Sequence, residues 1–375
     1  MKQRIEIGIL YSRSGNYRLL SEACRDGAMH GIATVNADPA SGVEFVPVER
    51  DPGGQIDRYA PLCEDILRTT TARHVVGCIT SWSRKEVIPV LEKTGGTLWY
   101  ACPYEGFESN EHVVYMNACP NQHLVPLLGY IVPRFGRNAF LVGSNYIWGW
   151  ETNRVARDLV GDAGGQILGE RYLPLGDVDV GRLIDEIRAT RPSFILNHLI
   201  GPSSYAFFAA YEQLTRDDPW FSAETCPILS CNLTEIELPA IGDAAQGHIA
   251  VGPFFDDGTT RWPQGTASSE QPVQPRPSSF FVSAFSSVIV LADMLSAGEN
   301  EGNLDFADRT FATPFGSIAI DPQTQHASLP VKIGRVAGRA FDVIEEVAER
   351  IDPDPYLSRY DPLATFGRPN LRAVS

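Results

Sequence analysis

With 375 residues, 43% hydrophobic and 21% charged, the chain is too long for one ordinary domain and apolar enough to fill two cores. Its formal net charge of −15 excludes the basic face that direct nucleic-acid binding needs. No apolar run approaches the ~20 residues of a membrane-spanning helix, so membrane insertion is not expected.

Residues 5–11 alternate Ile-Glu-Ile-Gly-Ile-Leu-Tyr and read as a first strand. Met1-Lys2-Gln3-Arg4 runs straight into it, without the apolar segment and small-residue cleavage site of a secretory leader. That points to a cytoplasmic protein, or to a periplasmic one whose leader has been removed. Ala23, Ala28, Ile32 and Val35 place a helix over 21–35, and 43–48 returns as a strand ending at the turn Asp51-Pro52-Gly53-Gly54. Helix 57–67, buried strand 74–79, amphipathic helix 83–93, strand 97–100 and extended 113–116 follow. A new run opens at Ala118-Cys119-Pro120-Asn121, where Pro and Asn start the helix over 124–135. Strands at 139–143, 166–172, 193–197, 228–230 and 248–251 then alternate with helices at 151–160, 180–187 and 204–214. Pro, Gln, Ser, Gly and Thr dominate 255–279, which reads as a mobile surface loop. A long apolar helix over 280–295 and late strands at 318–320 and 331–333 close the pattern.

Two strand–helix runs predict an α/β protein of two lobes, each a mostly parallel sheet flanked by helices. The late return to helix and strand predicts that the chain crosses back, giving a hinge of several strands. The expected division is an N-terminal lobe of 1–118 plus about 253–317, and a C-terminal lobe of 119–252 plus about 318–375. Ligands of open α/β sheets bind at the carboxyl ends of the strands. Val76-Gly77-Cys78-Ile79-Thr80-Ser81 and Tyr100-Ala101-Cys102-Pro103 bring hydroxyl, thiol and aromatic groups to one such rim. Groups of that kind hold a small neutral polar molecule better than they transform one.

Chemistry-bearing motifs are missing from the sequence. There is no glycine-rich phosphate loop, no G-x-S-x-G elbow, no H-x-x-x-H and no C-x-x-C. The seven histidines are scattered, and Cys226 and Cys231 span a strand that would turn them to opposite faces. No cofactor, no metal and no enzymatic activity are expected. Seven dispersed cysteines suit free thiols that pack as small hydrophobes. Cys102 reads as a packing thiol rather than a nucleophile, and Ser81 also fits the N-cap of the following helix.

Several stretches carry a resemblance: Asp51-Pro52-Gly53-Gly54 with Asp57-Arg58-Tyr59, Cys63-Glu64-Asp65, Ser81 with Arg84-Lys85, Pro103-Tyr104-Glu105-Gly106-Phe107-Glu108 and Pro120-Asn121-Gln122. It continues through Gly143-Ser144-Asn145-Tyr146-Ile147, Glu151-Thr152-Asn153, Pro314-Phe315-Gly316, Asp321-Pro322-Gln323 and His326. The chain resembles the type I periplasmic-binding-protein family and, within it, the AmiC-type amide-binding sensors that negatively regulate bacterial aliphatic amidase expression. Pro-Tyr-Glu-Gly-Phe-Glu is the specific element; Asp-Pro-Gly-Gly is shared by many branched-chain amino-acid-type relatives. The resemblance fades over 255–279.

The resemblance implies a pocket, position by position. Ser81 matches the pocket serine, Tyr100 a pocket tyrosine, and Tyr146 the second-lobe tyrosine that closes over the amide. Cys102 with Pro103 falls where the family has Thr-Pro, and Asn232 where it has threonine. Ile79 and Trp148 stand where the amide sensors have tyrosines. Ile79 and Cys102 predict a roomier, less polar pocket. Ser81, Tyr100, Cys102, Tyr146 and Asn232 are uncharged, whereas an amino-acid ammonium would need a fixed carboxylate; Glu105 and Glu235 are near in sequence. The implied function is a sensor of a short amide or urea-like ligand, partnered by an RNA-binding antiterminator, with a homodimer left open. The alternative is the solute-binding component of an ABC transporter for amides, urea or branched-chain amino acids.

Overall fold

The computed structural model describes residues 2–258, 260, 277–302 and 304–367. Most of the loop expected at 255–279 lies outside the described residues.

Five parallel strands form one sheet: β1 (Gln3–Leu10), β2 (Val43–Arg50), β3 (His74–Gly77), β4 (Thr97–Tyr100) and β5 (Val113–Tyr115), in the order β2-β1-β3-β4-β5. A second sheet repeats that order with β6 (Ala139–Ser144), β7 (Ile167–Leu173), β8 (Phe194–His198), β9 (Ile228–Ser230) and β10 (Ile249–Gly252). In each sheet the connections reverse direction beside the first strand, and such a switch point opens a crevice at the strand ends. Beyond the short hairpin of β11 (Phe311–Thr313) and β12 (Gly316–Ile318), two further strands join the second sheet antiparallel: β13 (Leu329–Ala337) and β14 (Ala340–Ile351). The molecule is thus a two-lobed α/β fold with mostly parallel sheets. β3 and β6 are buried at every residue, as strands covered on both faces must be.

Helices α1 (Arg18–Ala37), α2 (Tyr59–Thr69) and α3 (Ser81–Thr94) flank the first sheet. The second is flanked by α4 (Leu124–Phe135), α5 (Ile147–Asp162), α6 (Gly181–Thr190) and α7 (Pro202–Asp217), with the short α8 (Leu238–Ile241) beside α7. After β10 the chain returns, and α9 (Ser279–Ser296) packs along α1. The contact is close because Gly27 and Gly31 face it: a Cβ on Gly27 would sit 2.1 Å from the Phe281 carbonyl oxygen. By length and apolarity α9 meets the criteria for a membrane span, which the sequence reading passed over; here it is mostly buried in protein. The crossings are tied together. Gln122 Nε2 donates to the Ala327 and Ile351 carbonyls at 3.0 and 2.9 Å, and the His326 ring stacks on Tyr115 at 4.1 Å.

Three local departures from the sequence reading shape the site. β3 stops at Gly77, not at 79, because Cys78 takes φ +65°, rare for a residue with a side chain, and turns the chain outward. α5 begins at Ile147 rather than 151, so Tyr146 occupies its N-cap position. β14 was unexpected, since its glutamates and arginine conceal a strand that buries little of itself.

Candidate functional site

The turn after β3 sets the first wall of the cleft. Cys78 N–H bonds the Leu10 carbonyl at 3.0 Å, and the chain then runs through Ile79 into α3. Thr80, not Ser81, caps that helix. Its Oγ1 accepts from Ser83 N–H at 2.9 Å, while Ser83 Oγ accepts from Thr80 N–H at 3.0 Å. The expected cap at Ser81 is therefore corrected. As the first helical residue, Ser81 has a hydroxyl free for other work, and the opening N–H groups of the helix have no intrahelical partner.

Ser81 Oγ donates to Glu105 Oε2 at 2.5 Å. Glu105 Oε1 accepts from Arg84 Nη2 at 3.0 Å, Arg84 Nε reaches Glu108 at 2.6 Å, and Lys85 Nζ reaches the other Glu108 oxygen at 2.5 Å. The Arg84 guanidinium is wholly buried and lies 4.7 Å from the Tyr100 ring centroid and 4.8 Å from that of Tyr104. Burial opposes its charge, but the two glutamates more than offset this and push its pKa up. Burial also disfavours the Glu108 carboxylate, yet Arg84 and Lys85 hold it down at about 2.

The second wall is neutral. Trp148 stands one turn into the lobe, edge-on to His123 at 6.0 Å and His198 at 5.8 Å. Burial lowers these imidazoles to about 4 and about 3, so neither carries charge near neutrality. Trp148 Nε1 is buried without a hydrogen-bond partner, whereas the Tyr17 hydroxyl on the opposite wall faces that of Tyr146. Asn232 is fixed by Ser230, whose Oγ donates to its Oδ1 at 3.1 Å.

All eight residues singled out in the sequence line one cavity: Ile79, Ser81, Tyr100, Cys102 and Pro103 from one lobe, Tyr146, Trp148 and Asn232 from the other. Thr80, from the rim stretch 76–81, completes it with Tyr17, Leu20, Ile200 and Phe280, which the sequence reading missed. Tyr17 and Leu20 follow the end of β1 and Ile200 the end of β8, so the strand-end rule reaches all three. Phe280 arrives on a returning helix and has no local signal. Among the described residues no side chain of the lining is charged. Glu105 is taken by Ser81 and Arg84, and Glu235 accepts from Asp256 N–H at 2.8 Å. The Cys102 thiol leans on the Cys78 carbonyl at 3.7 Å, and burial pushes its pKa up, so it resists ionisation. Among the described residues no group of three or more His, Cys, Asp or Glu side chains is placed to hold a metal ion.

The lobes are closed. Tyr146 meets Tyr17 edge-on at 6.2 Å and Trp82 at 6.1 Å, and the Arg154 guanidinium sits 4.5 Å from the Phe107 ring. Gly201, at φ +57°, lies so close to Asn16 that a Cβ would fall 2.2 Å from its carbonyl oxygen. About 20 Å³ remains open to a water-sized sphere, room for roughly one water. Tyr17, Trp148 and Phe280 line the same space as Ile79 and Cys102.

Two helix-flanked sheets closing on a buried cavity define a two-lobed small-molecule-binding fold. A family model described as periplasmic binding protein domain matches residues 5–362, and the chain belongs to that family. It is similar to a solute-binding protein of an ABC transporter from Rhodopseudomonas palustris HaA2 in complex with p-hydroxybenzoic acid. That match has 19% identity and TM-score 0.78, covering 92% of this chain and 96% of that one. An R. palustris ABC-transporter solute-binding protein in complex with benzoate matches at 16% identity and TM-score 0.82, over 94% and 98% of the two chains. The branched-chain amino acid transporter substrate-binding protein of Streptococcus pneumoniae, in complex with isoleucine, matches at 14% and 0.73, over 94% and 100%. At these identities the likeness is one of fold.

Proposed function

We propose that the protein is a solute-binding component of an ABC-type uptake system and captures a small uncharged polar ligand, a carboxamide or urea-type molecule, between its lobes. The observation that carries this is the cavity's chemistry: among the described residues no charged lining side chain, and a buried polar group, Trp148 Nε1–H, without a partner. Such an unmet group costs about 1–3 kcal/mol, which a ligand's polar atoms relieve. A buried ligand charge would find no counter-ion there. The transport role rests on the solved neighbours, which are transporter components. Opening and closing would divide the chain as 1–118 with about 253–317 against 119–252 with about 318–375.

A second reading, a cytoplasmic amide sensor acting on an RNA-binding antiterminator, is favoured by Pro103-Tyr104-Glu105-Gly106-Phe107-Glu108, whose glutamates build the cluster around Arg84. The net charge of −15 suits a basic partner. Neighbouring genes separate the readings: permease and ATPase subunits for one, an antiterminator for the other. The ligand class is tested by a thermal-shift screen with acetamide, propionamide, butyramide, urea, benzoate and leucine. A tight ligand raises the melting temperature by mass action. Amides or urea are expected to do so; a rise with leucine or benzoate alone overturns the uncharged-ligand reading.

A further inference from the structure

Ser81 has one proton to give, and its neighbours decide where it goes. Ser81 Oγ lies 2.5 Å from Glu105 Oε2, and Glu105 is 2% exposed. The second Glu105 oxygen is held at 3.0 Å by Arg84 Nη2. Arg84 cannot turn away, because Glu108 grips its Nε at 2.6 Å and the Tyr100 ring lies against it. A carboxylate in such an ion pair accepts hydrogen bonds and donates none. The hydroxyl is therefore the donor, and what Ser81 turns toward the cavity is lone pairs.

We infer that Glu105 is a positioning residue that makes Ser81 a hydrogen-bond acceptor toward the ligand, so the site selects molecules bringing an N–H to Ser81 and rejects their carboxylate isosteres. The opposite wall supplies the complement, since Trp148 Nε1–H is unpartnered and can only donate. The Ser81 side chain thus accepts and the Trp148 side chain donates. A primary carboxamide answers both, with its NH₂ and its carbonyl. A carboxylate of the same shape has two acceptors, and one would face the Ser81 lone pairs without a proton between them. Glu105 itself does not line the cavity; it acts through Ser81. The selectivity rests on the uncharged-ligand reading above, whereas the direction of the Ser81 proton does not.

Glu105→Gln reverses the arrangement. Arg84 has only donors, so the amide oxygen of the substituted side chain must face it, and the amide NH₂ then faces Ser81. Ser81 must accept that bond, and its own hydrogen is released toward the cavity. The experiment is calorimetric titration of wild type, Glu105→Gln, Ser81→Ala and the double variant with propionamide and propionate. Wild type is expected to prefer propionamide, and Glu105→Gln to narrow that preference by roughly tenfold, the scale of one hydrogen bond gained or lost. In the Ser81→Ala background the same change is expected to leave the preference unmoved. An amide-to-carboxylate ratio equal in wild type and Glu105→Gln overturns the proposal. Neutron diffraction from deuterated wild-type crystals gives a readout that needs neither ligand nor variant. Ser81 deuterium pointing at Glu105 supports the proposal, and deuterium pointing into the cavity overturns it. If wild type binds neither probe, the uncharged-ligand reading fails, while the neutron result still decides the role of Glu105.

Discussion

Behind Ser81 the first lobe buries Arg84 and Glu105 beside a partly buried Glu108; behind Trp148 the second buries His123 and His198, both neutral. Strand order is the same in the two sheets, yet the walls spring from different strands: Ser81 follows β3, and Trp148 follows β6, the counterpart of β1. They differ in what they leave unmet. Around Ser81 the carboxylates have donors and the hydroxyl has an acceptor. Around Trp148 the indole N–H and His198 Nε2 are without partners, although Asn153 and His198 bond each other at 2.7 Å. A pair already formed contributes equally with the cleft open or shut. Only a group that gains its partner on closure can favour the closed state. The bonds among Ser81, Glu105 and Arg84 are thus a preformed platform, although Arg84 Nη1 lacks a partner, and unpaired groups facing the ligand, Trp148 Nε1–H first, supply the ligand-dependent drive.

The comparison breaks most readily at Arg84. Arg84→Met leaves Glu105 buried without its cation, while Glu108 keeps Lys85, and is expected to cost about 3–5 kcal/mol in urea unfolding. A loss below about 1 kcal/mol would mean that water already screens the cluster.

Two glutamates, one in each lobe, should answer pH with opposite signs. Glu108, held at about 2 by Arg84 and Lys85 against the effect of burial, contributes stability that is full above the unfolded value of about 4.3 and lost as pH falls through about 2. In the second lobe, burial raises Glu237 to about 7, although the Tyr205 hydroxyl bonds it at 3.1 Å and favours its ionised form. The folded state then keeps a proton that the unfolded chain releases above about 4.3. Stability should fall as pH rises from there to about 7 and be level beyond. Glu237→Gln should flatten that stretch and gain up to about 3 kcal/mol at pH 8. Urea titrations of both proteins at pH 5 and pH 8 read this directly. A slope that survives the substitution assigns it to another group.

Much of the site was legible because strand ends obey a short-range rule. Ile79 to Ser81, Tyr100 to Pro103, Tyr146 and Asn232 each follow a strand, and a buried apolar run ending in small polar or aromatic residues marks such a place. The two-lobed fold was legible from alternating periodicity for a similar reason. What escaped is long-range or locally ambiguous. Phe280 reaches the cavity only because Gly27 and Gly31 let α9 lie against α1, a contact no local pattern encodes. β14 is mostly exposed, so its alternation is drowned by charge. Thr80 displaced Ser81 as the cap because Ser83 completes a capping box with it, a pairing three residues long that was present to be read.

The smallest expected effect sharpens the division of labour between the walls. Phe107 and Arg154 meet across the cleft at 4.5 Å, and neither lines the cavity. Phe107 is 42% exposed, so the contact sits at the rim, where a cation–π pair is worth about 0.5–1 kcal/mol. It exists only with the lobes together, so Phe107→Ala removes that energy from the closed state alone. Propionamide should bind about two- to fivefold more weakly, the same energy expressed as affinity. Solution scattering of the ligand-free variant should show a larger radius of gyration, with urea unfolding shifted by no more than the lost pair. An unchanged affinity with an unchanged radius would leave closure to the unpaired groups facing the ligand.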